Sequence, residues 1–415
     1  MIRFIHTADI HFGVENYGRL DAKTGIHSRL LDFERALNFC IDYAINNKVD
    51  FFLFAGDAYK TPNPTPTHQK LLANCLLKLH KANIPIVMTI GNHDNPLSFG
   101  KAHALEIFQQ FPVDGFYISA KPKIILLNTK SGPIQIVTIP WPTRNSISVN
   151  NEHINLTQFE ITKYISQAVC RIIKELASQL DPKLPAVLVG HLTVASGIFS
   201  GSEKQAIYGT DPIFMPCQLA IDPFDYVALG HLHRFQNLNG SSKIPIVYSG
   251  SIERIDFGER NEEKGFCLVT IKEKRNTIYE FIKTPTRNFI QIEVNIDESD
   301  NQTEQILNKI CKYNINGAII KIIYYLKNNQ KDRVDLNTIQ QHCAKAWYIV
   351  GILPVRVKAT RERRACLNIE MHLKKLLELY FQDKLEYKQE YKDKLIEKAI
   401  TLESELYQNN QQEDL

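Results

Sequence analysis

Short apolar runs alternate with amphipathic stretches over roughly the first 280 residues of this chain. Residues 2–8, 51–55, 84–90, 134–139, 186–189 and 226–229 are nearly continuous apolar runs of strand length, and residues 244–248 and 266–271 continue the series. Such runs predict strands buried on both faces. Phe33, Leu37, Ile41 and Ala44 recur near helical spacing and predict a helix over 30–45. Helices are also predicted over 67–79, 101–111 and 159–180. Strands and helices taken in turn indicate a layered α/β fold.

The pattern shifts near Thr284-Pro285-Thr286-Arg287. Strand-like runs at 289–296 and 318–325 then flank a helical stretch at 304–311, which suggests a small α+β domain. Beyond Pro354, Ile369, Leu373, Leu376, Leu377 and Tyr380 fall at helical intervals, as do Leu395, Ala399, Leu402 and Leu406. They predict two amphipathic helices before a polar, Gln-rich end. The expected division is 1–285, 286–358 and 359–415.

Five of the strands end in polar clusters: Asp9-x-His11, Gly56-Asp57, Gly91-Asn92-His93-Asp94, Gly190-His191 and Gly230-His231-x-His233. In open α/β sheets, sites form beyond the carboxyl ends of the strands, so clusters distant in sequence can meet there. Carboxylate, imidazole and amide donors suit a divalent metal of borderline hardness. Seven such side chains as ligands, beside a candidate catalytic His, exceed one tetrahedral ion and suit two ions sharing a carboxylate. A lone Gly-Asp or His at a strand end is usually structural; the ordered set of five is what carries the inference.

Composition adds exclusions. The eight cysteines are scattered and form no CxxC pair, so a zinc knuckle or redox motif is not supported. They read as small buried hydrophobes in a reducing compartment, and a cytoplasmic location is expected. No leader pattern opens the chain and no apolar run reaches membrane-spanning length. A net charge of +4 neither requires nor forbids a nucleic-acid partner.

The ordered motifs resemble the calcineurin-like metallophosphoesterase superfamily and, within it, the SbcD nuclease subunits of the double-strand-break repair nucleases. Further matching text runs from Phe54 to Pro66 and from Tyr248 to Glu259. The resemblance covers roughly residues 1–285. It implies a layered β-sandwich flanked by helices, followed by a small capping domain and C-terminal helices. It implies that Asp9, His11 and His233 hold one metal, that Asn92, His191 and His231 hold a second, and that Asp57 bridges them. His93 would face the scissile phosphate, with Asp94 orienting its ring. The ions would be manganese foremost, polarising the phosphoryl group and neutralising its charge. Lys60 departs from the family pattern, which often has an acidic residue there; that position is not a ligand.

The implied activity is exonucleolytic and endonucleolytic cleavage of DNA double-strand ends and hairpins, in repair, recombination and replication. The implied partner is an SbcC-like ATPase, gripped by the C-terminal helices in a heterotetramer with two copies of each chain. A homodimer seam could use Leu72, Leu76, Ala104 and Ile107; an intramolecular core role fits these equally. Among Arg144, Arg234, Arg254 and Arg260, some could contact a DNA backbone, although internal pairing is the commoner fate of any one. Residues 194–209 could form a mobile loop beside the site or an ordinary connection. The rival functions are a small-molecule or cyclic-nucleotide phosphodiesterase and a non-catalytic scaffold binding DNA and the ATPase.

Overall fold

The computed structural model describes residues 1–96, 101–110, 114–143, 157–201, 211–240, 244–297, 301–357, 373–382 and 389–413. Arg144, Ile369 and the second half of the loop expected at 194–209 lie outside these. In chain order the elements are β1 (Ile2–Thr7), α1 (Ser28–Asn46), β2 (Phe51–Phe54), α2 (Pro66–Lys81), β3 (Ile86–Thr89), α3 (Ile107–Gln110), β4 (Phe116–Ser119), β5 (Lys123–Thr129) and β6 (Gly132–Ile139). Then come α4 (Gln158–Ser178), β7 (Ala186–His191), β8 (Thr193–Val194), β9 (Ile213–Phe214), α5 (Pro216–Leu219), β10 (Tyr226–Gly230), β11 (Gln236–Asn237), β12 (Ile246–Tyr248), β13 (Gly265–Glu273) and β14 (Asn276–Lys283). The chain continues through β15 (Phe289–Asn295), α6 (Gln302–Ile310), β16 (Ile319–Lys327), α7 (Leu336–His342), β17 (Tyr348–Val357), α8 (Leu373–Gln382) and α9 (Gln389–Glu413).

Two six-stranded sheets form the core, in the orders β14-β13-β1-β2-β3-β4 and β11-β12-β10-β7-β6-β5. β1 to β4 run parallel, as do β6, β7, β10 and β12; antiparallel strands close the edges at β13–β14, β5 and β11. The apolar runs that predicted these strands are continuous because both faces are covered. On β2, Phe51 and Leu53 face the second sheet, whereas Phe52 and Phe54 face the outer core that includes Leu30, Phe33 and Leu37 of α1. On β7, Val187 and Val189 take the inner layer, and Leu188 the outer layer with Ile165 and Ile173 of α4. Phe4 stacks on Phe51 at 4.5 Å and meets Tyr226 of the other sheet edge-on at 5.9 Å. Burying each such side chain contributes about 1.5–3 kcal/mol.

Local chemistry sets the helix boundaries. Thr65 caps α2 and Pro66 opens it, where its missing N–H costs nothing. Thr157 and Glu160 form a reciprocal capping box on α4. α1 begins earlier than its apolar spacing suggests, because His27 accepts from the Arg29 amide. Leu72 and Leu76, offered for a dimer seam, are buried in the core under α2. Ile107 and Leu77 are exposed.

By compactness the chain divides into one unit of residues 1–324 with 333–354 and another of 325–332 with 355–415. Within the first, two arginines fasten the segment that leads into β15. Arg287 donates to Asp32 at 2.8 Å and lies over the Trp347 ring, and Arg254 donates to Thr286 and to the Arg287 carbonyl. Arg254 is therefore internally committed, not a surface contact. In the second unit α8 packs on α9, with Ile396 buried and Tyr380, Tyr391 and Leu402 exposed. Among the described residues no helix is long and apolar enough to cross a membrane.

Two expectations follow. Gly230 ends β10 so close to the first sheet that a Cβ there would sit 2.1 Å from the Ala55 carbonyl oxygen. Gly230→Ala should cost roughly 1–3 kcal/mol by overpacking, read as a lower urea midpoint; an unchanged midpoint would show that the sheets can part there. His6 is buried between the sheets, its ring nitrogens facing the Tyr226 hydroxyl and the Leu229 carbonyl, and burial lowers its pKa to about 3. Between the unfolded value near 6.5 and that value, the unfolded chain binds the extra proton. Stability should therefore fall as pH drops through that window. In metal-free buffer the loss from pH 7 to pH 4 should be smaller in His6→Leu than in wild type by about 3 kcal/mol. Equal losses would remove His6 as the cause.

Candidate metal centre

The five polar strand ends converge at the carboxyl ends of β1, β2, β3, β7 and β10. Backbone hydrogen bonds fasten the loops to one another: Asp9 N–H donates to the Gly56 carbonyl at 3.0 Å and His11 N–H to that of Asp57 at 3.1 Å. Asp9, His11 and Asp57 adopt φ of 54°, 52° and 60°, and His231 adopts 102°. Non-glycine residues rarely sit there, and each such position costs of order 1–3 kcal/mol. The neighbouring glycines make room. A Cβ on Gly91 would lie 2.0 Å from Asp57 Oδ1.

Asp9, His11, Asp57, His191, His231 and His233 are all buried, and Asn92 and His93 are half-buried at the rim. Three donor groups each draw within 4.8 Å of one another: Asp9 with His11 and His233, His11 with Asp57 and His93, and Asp9 with Asp57 and His191. Asn92 and His231 join through the amide oxygen of Asn92, which lies 2.9 Å from His191 Nε2 and 3.3 Å from His231 Nδ1. All seven residues expected as ligands thus meet in one cluster.

The donor chemistry fits a bound cation. His191 Nδ1 donates to the Ala55 carbonyl at 2.8 Å, so a neutral ring leaves a lone pair on Nε2. That nitrogen faces two more acceptors, Asn92 Oδ1 at 2.9 Å and Asp57 Oδ2 at 3.3 Å. Three acceptors at that range repel unless a proton or a metal lies among them. In a metal-free site the proton takes the place: burial would lower the His191 pKa, yet Asp57 and Asp9 raise it to about 9. Likewise His11 Nε2 and His233 Nε2 face each other at 3.1 Å, and His233 Nδ1 is already committed as a donor to Glu259 at 2.7 Å. Burial lifts Asp9 to about 7. Burial would lift Asp57 too, but His191 and His11 outweigh it and hold that carboxyl well below its usual range.

The ring of His93 is oriented by the backbone. Its Nδ1 donates to the Lys60 carbonyl at 2.9 Å, and its own amide donates to Asp57 Oδ1 at 2.8 Å. Asp94, expected to orient that ring, instead accepts from the amides of Ala58, Tyr59 and Gly91 at 3.0–3.2 Å. It locks the Asp57 loop to the Asn92 loop. The reason is burial: a carboxylate enclosed completely takes the amides within reach. Lys60 contributes through its main chain, which explains how an atypical side chain can stand there.

Sequence reading missed three residues around the cluster. Glu259 is buried, accepts from His233 Nδ1 and the Ile255 amide, and pairs with buried Lys264 at 2.8 Å. Burial alone would raise its pKa; Lys264 and His233 reverse that and hold it at about 2. Its one visible signal was its place at the end of the Tyr248–Glu259 text. Asp211 Oδ2 lies 3.4 Å from His231 Nε2, and the Trp141 ring packs 4.9 Å from that of His231. Nothing in the local sequence marks either.

The chain is similar to several known proteins. Two proteins named as the SbcD component of the nuclease SbcCD are similar to this chain. The one from Staphylococcus epidermidis is 27% identical over 313 residues, and the one from Staphylococcus saprophyticus is 28% identical over 311. Each alignment covers 74% of this chain and 76% of the relative. Among solved structures, a dimetal phosphatase from Danio rerio aligns at 9% identity with a TM-score of 0.36, covering 68% of this chain and 99% of that one. The calcineurin-like phosphoesterase family matches residues 2–235, a span that contains all five clusters. This chain therefore belongs to the calcineurin-like phosphoesterases, hydrolases of phosphoester bonds whose chemistry implies divalent metal ions.

Proposed function

We propose that this chain is the nuclease subunit of an SbcCD-like complex and hydrolyses phosphodiester bonds at DNA ends and hairpins with two divalent ions, manganese foremost. The observation that carries the reading is the meeting of lone-pair donors around Asn92, Asp57, His11 and His233. The relatives' name, a subunit of a nuclease complex, supports the nucleic-acid substrate and a partner subunit. In this reading Asp9, His11 and His233 hold one ion, Asn92, His191 and His231 hold the other, and Asp57 is shared. Bound there, the ions would supply Lewis-acid polarisation and charge neutralisation for attack on phosphorus. The mixed oxygen and imidazole set admits manganese.

The chain's own groups do the rest. The Ala55 carbonyl and Glu259 fix the tautomers of His191 and His233, directing each Nε2 inward. His93 is kept neutral by burial, with Nδ1 committed to Lys60. An arriving anionic phosphodiester favours its charged form, from which the leaving oxygen can take a proton.

Residues 286–358 would act as a capping domain over the DNA, and 359–415 as the helices that grip the ATPase; exposed Tyr380, Tyr391 and Leu402 support the second assignment. A homodimer would use the apolar groove lined by Leu77, Ile107 and Phe116, since Leu72 and Leu76 are already buried.

The first test is manganese-dependent cleavage of an end-labelled duplex, beside a cyclic dinucleotide and a chromogenic phosphodiester. DNA should be cut, and Asp57→Asn should reduce cutting at least 100-fold. Turnover of small diesters with DNA left intact, even after the ATPase is added, would replace the nuclease with a small-molecule phosphodiesterase. Glu259→Gln should weaken manganese affinity by about 10–100-fold in calorimetry, as loss of a histidine's outer partner does. Wild-type affinity there would limit Glu259 to a packing role.

A further inference from the structure

A second concavity, of about 700 Å³, opens beside the metal centre. Its walls include Arg234, Arg260, Phe199, Phe235 and Phe281. Two of these are tied to the centre by the chain itself. Arg234 follows His233 and Arg260 follows Glu259, and the His233–Glu259 hydrogen bond spans 2.7 Å. The cleft thus begins one residue from a candidate ligand on one side and one residue from that ligand's hydrogen-bond partner on the other.

Two of its arginines are not spent on carboxylates among the described residues. Arg234 is exposed, and its guanidinium has no hydrogen bond or ion pair among the described residues. Arg260 is partly buried and spends one N–H on the Phe257 carbonyl at 3.0 Å, with no carboxylate partner among the described residues. Of the two acidic residues at the cleft, Glu263 pairs with Lys283, and Glu262 shares Lys264 with Glu259 at 3.0 Å. Three aromatic rings also line it. Phe235 and Phe281 stack at 4.2 Å, and Phe199 is half-buried.

Unpaired guanidiniums beside aromatic faces are the combination that holds single-stranded nucleic acid: cations take phosphates and rings stack on bases. A base within a duplex already has its faces covered, so these rings can serve only an unpaired strand. The space also matches a small-ligand pocket, about 300–1,000 Å³, and is too small for a double helix. We infer that the cleft lined by Arg234, Arg260 and Phe199 is a subsite for an unpaired nucleotide flanking the cleaved phosphate. The inference rests on the nuclease reading and deepens it. The site would favour a frayed end or a hairpin loop over a fully paired strand.

The test is fluorescence anisotropy of labelled oligothymidylate with the full chain in EDTA, where no cleavage occurs. Arg234→Ala with Arg260→Ala should weaken binding at least tenfold. It should also flatten the slope of log K against log salt by about 0.7 per lost phosphate contact. Arg275→Ala, which removes an exposed arginine paired with Asp222, should stay within twofold of wild type. Phe199→Ala should weaken oligothymidylate more than an abasic strand of equal length. Arg234 is exposed, so Arg234→Ala alone covers the case in which the double variant misfolds. Variants that bind with wild-type affinity and slope, while wild type still cuts DNA, would overturn the cleft and leave the nuclease standing. Wild type that hydrolyses a chromogenic diester but neither binds the oligonucleotide nor cuts DNA would overturn both.

Discussion

Two carboxylates buried within reach of the same imidazoles are the constraint on which this structure turns. Asp9 and Asp57 lie almost wholly out of solvent, and the charge on Asp57 makes ionisation of Asp9 harder. Burying like charges together is costly unless positive charge joins them. In the metal-free chain a protonated His191 supplies part of it; in the family's chemistry divalent ions do. The two sheets must therefore meet edge-close at the strand ends, which is why glycines precede Asp57, Asn92 and His231, with Gly91 and Gly230 leaving no room for a Cβ.

The legible part of the fold was the part with strict patterning. Strands buried on both faces announce themselves as unbroken apolar runs, and β1, β2, β3, β7 and β10 were found that way. β4, β5 and β14 were not, because their exposed faces dilute the signal: β14 alternates half-buried and exposed positions along most of its length. β8 and β9 are two-residue pairings that flank the 194–209 stretch. No local pattern of three or four residues encodes a contact so brief.

At the site, ligand-bearing loops were legible because residue type and position agreed. The supporting groups were not. Glu259 reaches His233 across 26 positions and Asp32 reaches Arg287 across 255, and only the folded chain brings such partners together. Arg29 looked like an ordinary residue at a helix start, yet it is fully buried between Asp32, Glu253 and the Arg254 carbonyl. Asp94 shows the converse: the family resemblance implied a partner for His93, but burial gave it to backbone amides.

The left-handed backbone at Asp9, His11, Asp57 and His231 has a bearing on the protein's life in the cell. Each position holds conformational strain of order 1–3 kcal/mol, and an ion bound only by the folded chain would offset it through mass action. A cell short of that ion would then hold the protein nearer its unfolding threshold. Metal scarcity would be felt as faster removal by proteases as well as slower turnover. Abundance of the chain would track nutrition without any dedicated regulator.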